Sequence, residues 1–261
     1  MTSEYELIDA VLASGASLPS PGTVLPDLQR AGGDDKAGVN DFARAISQDP
    51  AILGAVMRVA NCPVFRPPRK SETVEQAIAM IGYARTLAIT ASVTLHSHIQ
   101  LLDSNLRESI EVLFAGAQRA ADLTYVLAKE TNFPRFADHA YLGALMQDAG
   151  TLVLLMRSGA RALEHKANDG HTALGASLMR NWKMPPLIST VVGVHHRPTE
   201  AERAGSEAFA ISCLLAAGRR LRDGDSDEWQ SEWASRVKET LGIGEEVLQG
   251  VMVKLIATQA E

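Results

Sequence analysis

The chain has 261 residues and a mass of 28.0 kDa, and its 25 basic and 31 acidic side chains give a formal charge of −6. At 46% hydrophobic and 21% charged, with no self-similar period, it is neither an intrinsically disordered segment nor a solenoid; a chain of this size buries about 70% of its unfolded surface. The acidic balance argues against a general nucleic-acid binder, which needs a basic face to release counterions from phosphates.

The N-terminal residues Met1 to Glu6 have no basic stretch, so no secretory leader is expected. Periodicity then predicts a short helix over Glu4 to Ala13, with Leu7, Ile8, Val11 and Leu12 on one face. Leu18 to Gly22 breaks the chain with two prolines. A helix is predicted from Asn40, as N-cap, to Ser47. Another opens at Asp49-Pro50, the carboxylate capping and the proline at the first helical position, and runs to Ala60 before Pro63 stops it. The proline-rich loop from Pro63 to Ser71 carries Arg66, Arg69 and Lys70, a candidate surface for an acidic partner or a phosphate. Thr73-x-x-Gln76 has the form of a capping box, and Gly82 is expected to end that helix in a left-handed conformation.

Tyr83 to Ile99 follows as a mostly buried helix. The longest uncharged run, Thr86 to Leu102, is interrupted by His96, His98 and Gln100, so no membrane span is expected. Asn105 to Glu130 is a long amphipathic helix. Further helices are predicted at Pro134 to Gln147, Thr151 to Met156, Arg161 to Lys166, Gly170 to Trp182, Pro186 to His195, Ser206 to Leu221, Asp227 to Leu241 and Glu245 to Thr258. About thirteen helices and no strand make the fold class all-α, a multi-helix bundle. Cys62 and Cys213 read as small buried residues in a reducing compartment, and the chain is expected to be cytoplasmic.

Three places concentrate groups capable of chemistry: Gln147-Asp148-Ala149-Gly150 at the end of an apolar helix, His171 just inside a helix, and His195-His196 before Arg197-Pro198. Neutral imidazole and ionised carboxylate from different helices are donors for a divalent ion. The plainer readings are that His195-His196 complement the negative end of a helix dipole, that His171 bonds locally, and that Asp148 satisfies nearby amides. Arg219, Arg220 and Arg222 are followed by Asp223, Asp225, Asp227 and Glu228, so local neutralisation is the expected role of that run.

Ala43-x-x-Ile46-Ser47-Gln48-Asp49-Pro50-Ala51-x-Leu53 and Met57-Arg58-Val59-Ala60-Asn61-Cys62 resemble the signature of the HDOD domain, a bacterial signalling module related to the HD phosphohydrolases. The pattern continues through Gln76-Ala77-Ile78-x-x-Ile81-Gly82, Tyr141 to Gly150, His171-x-x-x-Gly175-Ala176-x-Leu178-x-x-x-Trp182 and His195-His196, spanning about Leu18 to Pro198. The resemblance implies an N-terminal helical subdomain over 1–104, a degenerate HD-like subdomain over 105–198, and a helical extension over 199–261 that packs on it. Asp49, Pro50, Asn61, Gly82 and Trp182 are its signature residues, with mainly structural roles.

A catalytic HD protein holds its metal with a first histidine, an adjacent His-Asp pair and a later aspartate. Here the pair is Gln147-Asp148, the helix expected to supply the first histidine has none, Thr151 stands in the position of a common lysine, and the helix from Ile211 to Gly218 offers no carboxylate. What remains is a vestigial site of Gln147, Asp148, His171, His195 and His196. A water-activating metal needs about three firm protein ligands and an open position. The expectation is therefore no catalytic residue, no metal and no cofactor: a regulatory protein that binds signalling proteins, in motility, stress or cyclic-dinucleotide pathways, without nucleic acid or membrane. The alternatives are a metal-dependent phosphodiesterase using the residual site and a sensor of a nucleotide or small anion.

Overall fold

Asp49 nucleates its helix as the sequence predicts: its carboxylate accepts the amides of Ala51 at 2.8 Å and Ile52 at 3.1 Å, and Pro50 sits where no amide donor is required. The computed structural model describes residues 18–65, 70–99, 106–159, 170–223, 232–244, 246–251 and 253. Among these residues the chain is all-α, with no strand. The helices expected over 4–13 and 161–166 lie outside the described residues, as do Arg66 and Arg69; Lys70 is described and exposed.

Residues 21–98 form one compact unit. It contains α1 (Val24–Gly32), α2 (Val39–Ile46), α3 (Pro50–Ala60) and all but the last residue of α4 (Val74–Ile99). Helix α1 has no counterpart among the predicted elements. Its Pro26 falls in the first turn, where a missing amide costs nothing, and Leu25 and Leu28 are fully buried. Helix α2 begins at Val39 rather than Asn40: its N-cap is Gly38, whose amide donates to the Asp41 carboxylate at 3.0 Å.

At the end of α3, Asn61 acts as a two-way staple. Its side-chain amide donates to the carbonyls of Met57 at 3.0 Å and Ser71 at 3.1 Å, while its oxygen accepts the Ser71 amide at 2.7 Å. The capping box before α4 is present, with the Gln76 amide donating to Thr73 Oγ1 at 3.3 Å and Gln76 Oε1 accepting the Glu72 amide at 2.8 Å. Gly82 separates two helical segments of α4, 74–81 and 83–99, as the sequence predicts, and departs from the expectation only in its conformation. With φ +80° and ψ +167° it occupies a region open essentially only to glycine, not the left-handed helical region, and the two segments meet there in a kink.

By length and composition α4 is apolar enough to cross a bilayer, unlike the expectation from its sequence. The kink divides it, and Ala77, Ile78, Ile81, Leu87, Ala88, Ala91 and Leu95 are buried as core. Thr86, Thr90 and Thr94 hand their hydroxyl protons to the carbonyl one turn earlier, at 2.8, 2.9 and 2.8 Å, so the two buried hydroxyls among them carry no unmet donor.

Residues 99–251 form the second unit together with 18–20. Its helices are α5 (Arg107–Glu130), α6 (Ala137–Met146), α7 (Ala149–Ser158), α8 (Gly170–Asn181), α9 (Pro186–Gly193), α10 (Ser206–Asp223) and α11 (Glu232–Leu241). Helix α5 lies against α6 and α10, α8 against α7 and α9, and α10 also against α6, α9 and α11. Residues from the region predicted as an extension beyond 198 thus belong to the same core. Two approaches are close enough to demand glycine: a methyl group at Gly218 of α10 would overlap the Thr124 hydroxyl of α5, and one at Gly150 of α7 would overlap the His171 carbonyl of α8. Trp182 is 1% exposed and donates its indole proton to the Pro19 carbonyl at 2.6 Å, which anchors residues 18–20 to this unit. Cys213 is buried, as predicted, whereas Cys62 is half-exposed because it follows the last turn of α3.

Candidate functional site

The Gln147-Asp148 pair sits in the sharp turn between α6 and α7. The sequence joins α6 through Gln147, but the helix stops at Met146 and Asp148 leaves helical geometry at φ −91° and ψ +10°. The Asp148 carboxylate makes no capping bond to α7. That overturns its reading as a satisfier of nearby amides and leaves it facing the side chains of other elements.

His171 reaches this turn because the first turn of α7 packs on the first two turns of α8, Gly150 against His171 and Gly175. A methyl group on Gly175 would crowd Val192 of α9 at 2.9 Å, so the same glycine brings α9 close. Helix α9 ends at Gly193, and the turn after it, closed by the Arg197 amide donating to the Val194 carbonyl at 2.7 Å, carries His195 and His196. Adjacent residues on a helix would diverge by about 100°. In this turn their rings stay together, with centroids 4.2 Å apart.

The structure brings all three imidazoles to one point. His171 Nε2 lies 3.3 Å from His195 Nε2 and 3.3 Å from His196 Nε2, and the three ligand nitrogens are all within 4.8 Å of one another. Asp148 Oδ1 is 3.9 Å from His171 Nε2. The Nε2 side of His171 therefore faces partners across the fold. His195 Nδ1 lies 2.8 Å from the Val192 carbonyl, which can only accept, so Nδ1 carries the proton and Nε2 presents its lone pair to the cluster. Burial, then Arg219, His196 and His171, hold the His195 pKa well below the usual histidine value, against a smaller opposing effect of the Val192 bond. The ring is neutral. A neutral ring gains nothing from the end of a helix dipole, so that reading of His195 fails.

Helix α10 supplies two arginines to the same place. Arg219 Nη1 lies 3.5 Å from Gln147 Oε1, and Arg222 Nη1 lies 3.6 Å from Asp148 Oδ2. Burial works against the charge of Arg222, but its paired 2.6 Å bonds to Asp223 and its attraction to Asp148 outweigh this and raise its pKa. Neutralisation by Asp223 thus holds for Arg222, while Asp225, Asp227 and Glu228 lie outside the described residues. Arg219 is buried and directed at Gln147. Sequence reasoning passed over both residues as site members. The available signal was their three-residue spacing, which puts them on one face of a helix just after the closely packed Gly218.

Chemically, the site joins three imidazole nitrogens and one carboxylate with two guanidinium groups on its α10 side. Gln147 is fully buried, and its Nε2 has no hydrogen-bond partner. Its amide nitrogen is a donor and cannot ligate a cation, and its Oε1, the atom that could, is directed at Arg219, so Gln147 is a poor substitute for the histidine of an HD pair. Asp49, Pro50, Asn61 and Gly82 belong to the other unit and act there as cap, helix start, staple and kink.

Comparison with known proteins agrees with this architecture. Among solved structures, a protein of Shewanella amazonensis SB2B provisionally named a metal-dependent phosphohydrolase superposes with a TM-score of 0.72 at 19% identity, covering 99% of each chain. An HDOD domain protein of unknown function from Geobacter sulfurreducens gives 0.65 at 15% identity, over 97% of this chain and 94% of that one. A protein of Marinobacter aquaeolei VT8 provisionally named a signal transduction protein gives 0.65 at 18% identity, over 98% of this chain and 62% of that one. In sequence, an uncharacterized protein of Treponema pallidum (strain Nichols) is 22% identical over 226 residues, which is 80% of this chain and 43% of the relative, so the chain spans less than half of that relative's length. The family model for the HDOD domain matches residues 18–198, more than half of the sequence, and the chain belongs to the HDOD domain family.

Proposed function

We propose that this chain is a regulatory module of bacterial signal transduction that acts by binding signalling proteins and does not hydrolyse phosphoesters. The observation that carries the reading is the pairing of Gln147-Asp148 with Arg219 and Arg222 of α10. In a hydrolytic HD site the corresponding pair is histidine and aspartate and a later helix contributes a carboxylate. Here the pair lacks its histidine and α10 contributes cations. A guanidinium group 3.6 Å from the carboxylate competes for the negative charge that a water-activating ion requires.

The side chains have other work in this reading. Arg219 and Gln147, Arg222 and Asp148 join α10 to the turn between α6 and α7, and so fix the surface that the second unit presents. Among the structural relatives, the Marinobacter aquaeolei VT8 protein provisionally named a signal transduction protein fits such a role. The test has two arms. Purified full-length protein, supplied in turn with Mg²⁺, Mn²⁺, Fe²⁺ and Zn²⁺, is assayed on mononucleotide, dinucleotide and cyclic-dinucleotide phosphoesters, and affinity capture is run from the native bacterium. No turnover above the Asp148→Ala variant, together with a specific captured partner, is expected. Turnover abolished by Asp148→Ala would overturn the reading.

A further inference from the structure

The long helix α5 carries side chains that neither the core nor the histidine site uses. Its inward face, taken up by α6 and α10, is set by Ile110, Leu113, Ala117 and Ala120, all buried. On the opposite side Glu108, Val112, Ala115 and Arg119 are exposed. Val112, 66% exposed, is one of two large apolar side chains left to solvent among the described residues. At 100° per residue the four positions lie within about 60° of one another around the helix and form a single stripe. Neither charged end of the stripe is engaged within the chain: among the described residues Glu108 and Arg119 have no ion pair.

The stripe is complementary to itself. Its spacings of four, three and four residues read the same in both directions, and they are the spacings of a heptad seam, along which two helices pair at about 20°. In an antiparallel pair centred midway between Val112 and Ala115, Glu108 of one copy stands opposite Arg119 of the other, and Val112 stands opposite Ala115. The two-fold axis repeats each contact, so acid meets base and large meets small along the whole seam. Parallel pairing would set Glu108 against Glu108, Arg119 against Arg119 and Val112 against Val112. The order of the charges therefore selects the antiparallel arrangement. An unrelated apolar partner would account for Val112, but not for an acid and a base at mirror-related positions on either side of it.

We propose that α5 pairs antiparallel with α5 of a second copy of this chain through Glu108, Val112, Ala115 and Arg119. The seam runs from Glu108 to Arg119, about 17 Å at 1.5 Å per residue. That length places it in the small, transient class of contact, so the chain is monomeric when dilute and dimerises at high micromolar concentration. The pairing goes beyond the signalling reading and does not depend on it.

The experiment is sedimentation equilibrium of the full-length chain at low salt, from about 5 to 500 μM. The wild type is expected to show a dimer fraction that rises with concentration. Glu108→Arg and Arg119→Glu each oppose two pairs of like charges across the seam, and each is expected to weaken dimerisation about tenfold. Both side chains are exposed, so the melting temperature is expected to stay near that of the wild type. An equimolar mixture of the two variants is the decisive sample. Each repels itself, but against the other both charged positions are again acid opposite base, so the mixture is expected to dimerise as the wild type does. The double variant Glu108→Arg, Arg119→Glu is expected to do the same. Arg58→Glu on the exposed side of α3 makes the same change in net charge away from the seam and is expected to leave dimerisation unchanged. A monomeric wild type, single variants that dimerise normally, a mixture no better than its components, or an Arg58→Glu control as weak as Arg119→Glu would each overturn the pairing.

Discussion

Asp122 of α5 shows how a single buried carboxyl group can set a pH response away from the histidine cluster. Burial raises its pKa from 3.8 to about 7, and the 2.9 Å bond donated by Gln118 lowers it by less. The same Gln118 amide also donates to the Tyr141 hydroxyl at 2.9 Å, so the carboxyl group sits in a polar cluster where α5 meets α6. Since the folded pKa lies above the unfolded one, the folded state holds the proton more tightly. Its stabilising contribution is complete below about pH 4 and is lost as the pH rises towards 7. Asp122→Asn removes the buried charge and keeps an oxygen for Gln118. It is expected to stabilise the protein at pH 8 by roughly 2–4 kcal/mol and to be neutral at pH 4. Equal denaturation midpoints for variant and wild type at pH 8 would show that the carboxyl group titrates normally. Cys213 is the opposite kind of residue: burial, aided by Glu202, pushes its thiol up to about 12, leaving it an inert core side chain.

Helix contacts at glycine decide where the site residues meet. Gly150→Ala would place a methyl group on the His171 carbonyl, and α8 cannot retreat freely because Gly175 already lies against Val192. A loss of about 3 kcal/mol or more is expected, at the upper end of overpacking costs, with the His171, His195 and His196 ring resonances displaced in NMR spectra. Gly116→Ala on α5 is the control of opposite sign: an added methyl group there meets nothing within 4 Å, so a gain of about 0.5–1 kcal/mol is expected from helix propensity. Urea denaturation of the two variants against the wild type checks both. A mild effect at Gly150 would mean that the first turns of α7 and α8 are not locked together.

These contacts also explain what could be read from the sequence. Asp49-Pro50, the Thr73-Gln76 box and the long α5 are local signals, written in capping chemistry and periodicity, and each appears where the pattern puts it. Gly82 was legible as a special backbone position but not in its conformation, because glycine is permitted both the left-handed and the extended positive-φ regions. Helix α1 offered only Val24, Leu25 and Leu28 as buried periodic residues, too few for a clear pattern. At the site, the residue types were visible, but their meeting point was not: His171 and His195 are 24 positions apart and converge through a glycine contact between helices. The approach of Arg219 to Gln147 was not legible, because neighbouring acids in sequence say nothing about the face on which a helix buries a charge.

For the molecule as a whole, stability across pH sums groups that act in opposite directions. The folded pKa of His195 lies below its unfolded value of about 6.5. Its contribution is full above that value and is lost as the pH falls through 6.5 towards the depressed folded value, because only the unfolded chain accepts the proton. Between about pH 4 and 6.5 this loss on acidification is countered by the gain from Asp122. In chelator-treated protein, Asp122→Asn should therefore lose stability more steeply than the wild type between pH 6.5 and 5. Parallel curves of melting temperature against pH would contradict the opposed pair.

The bond from the Trp182 indole to the Pro19 carbonyl spans 163 positions of sequence, and this separation has a consequence for biosynthesis. Residues 21–98, which lie wholly between its two ends, leave the ribosome first and are complete in sequence long before Trp182 is added. At translation rates of about 5–20 residues per second, Pro19 waits roughly 8–33 s for its donor. During that interval the segment from 18 to 20 lacks the anchor that later holds it. Nascent chains arrested before and after residue 182 should differ in protease protection at residues 18–20, which makes closure of the second unit a late event in the life of each new molecule.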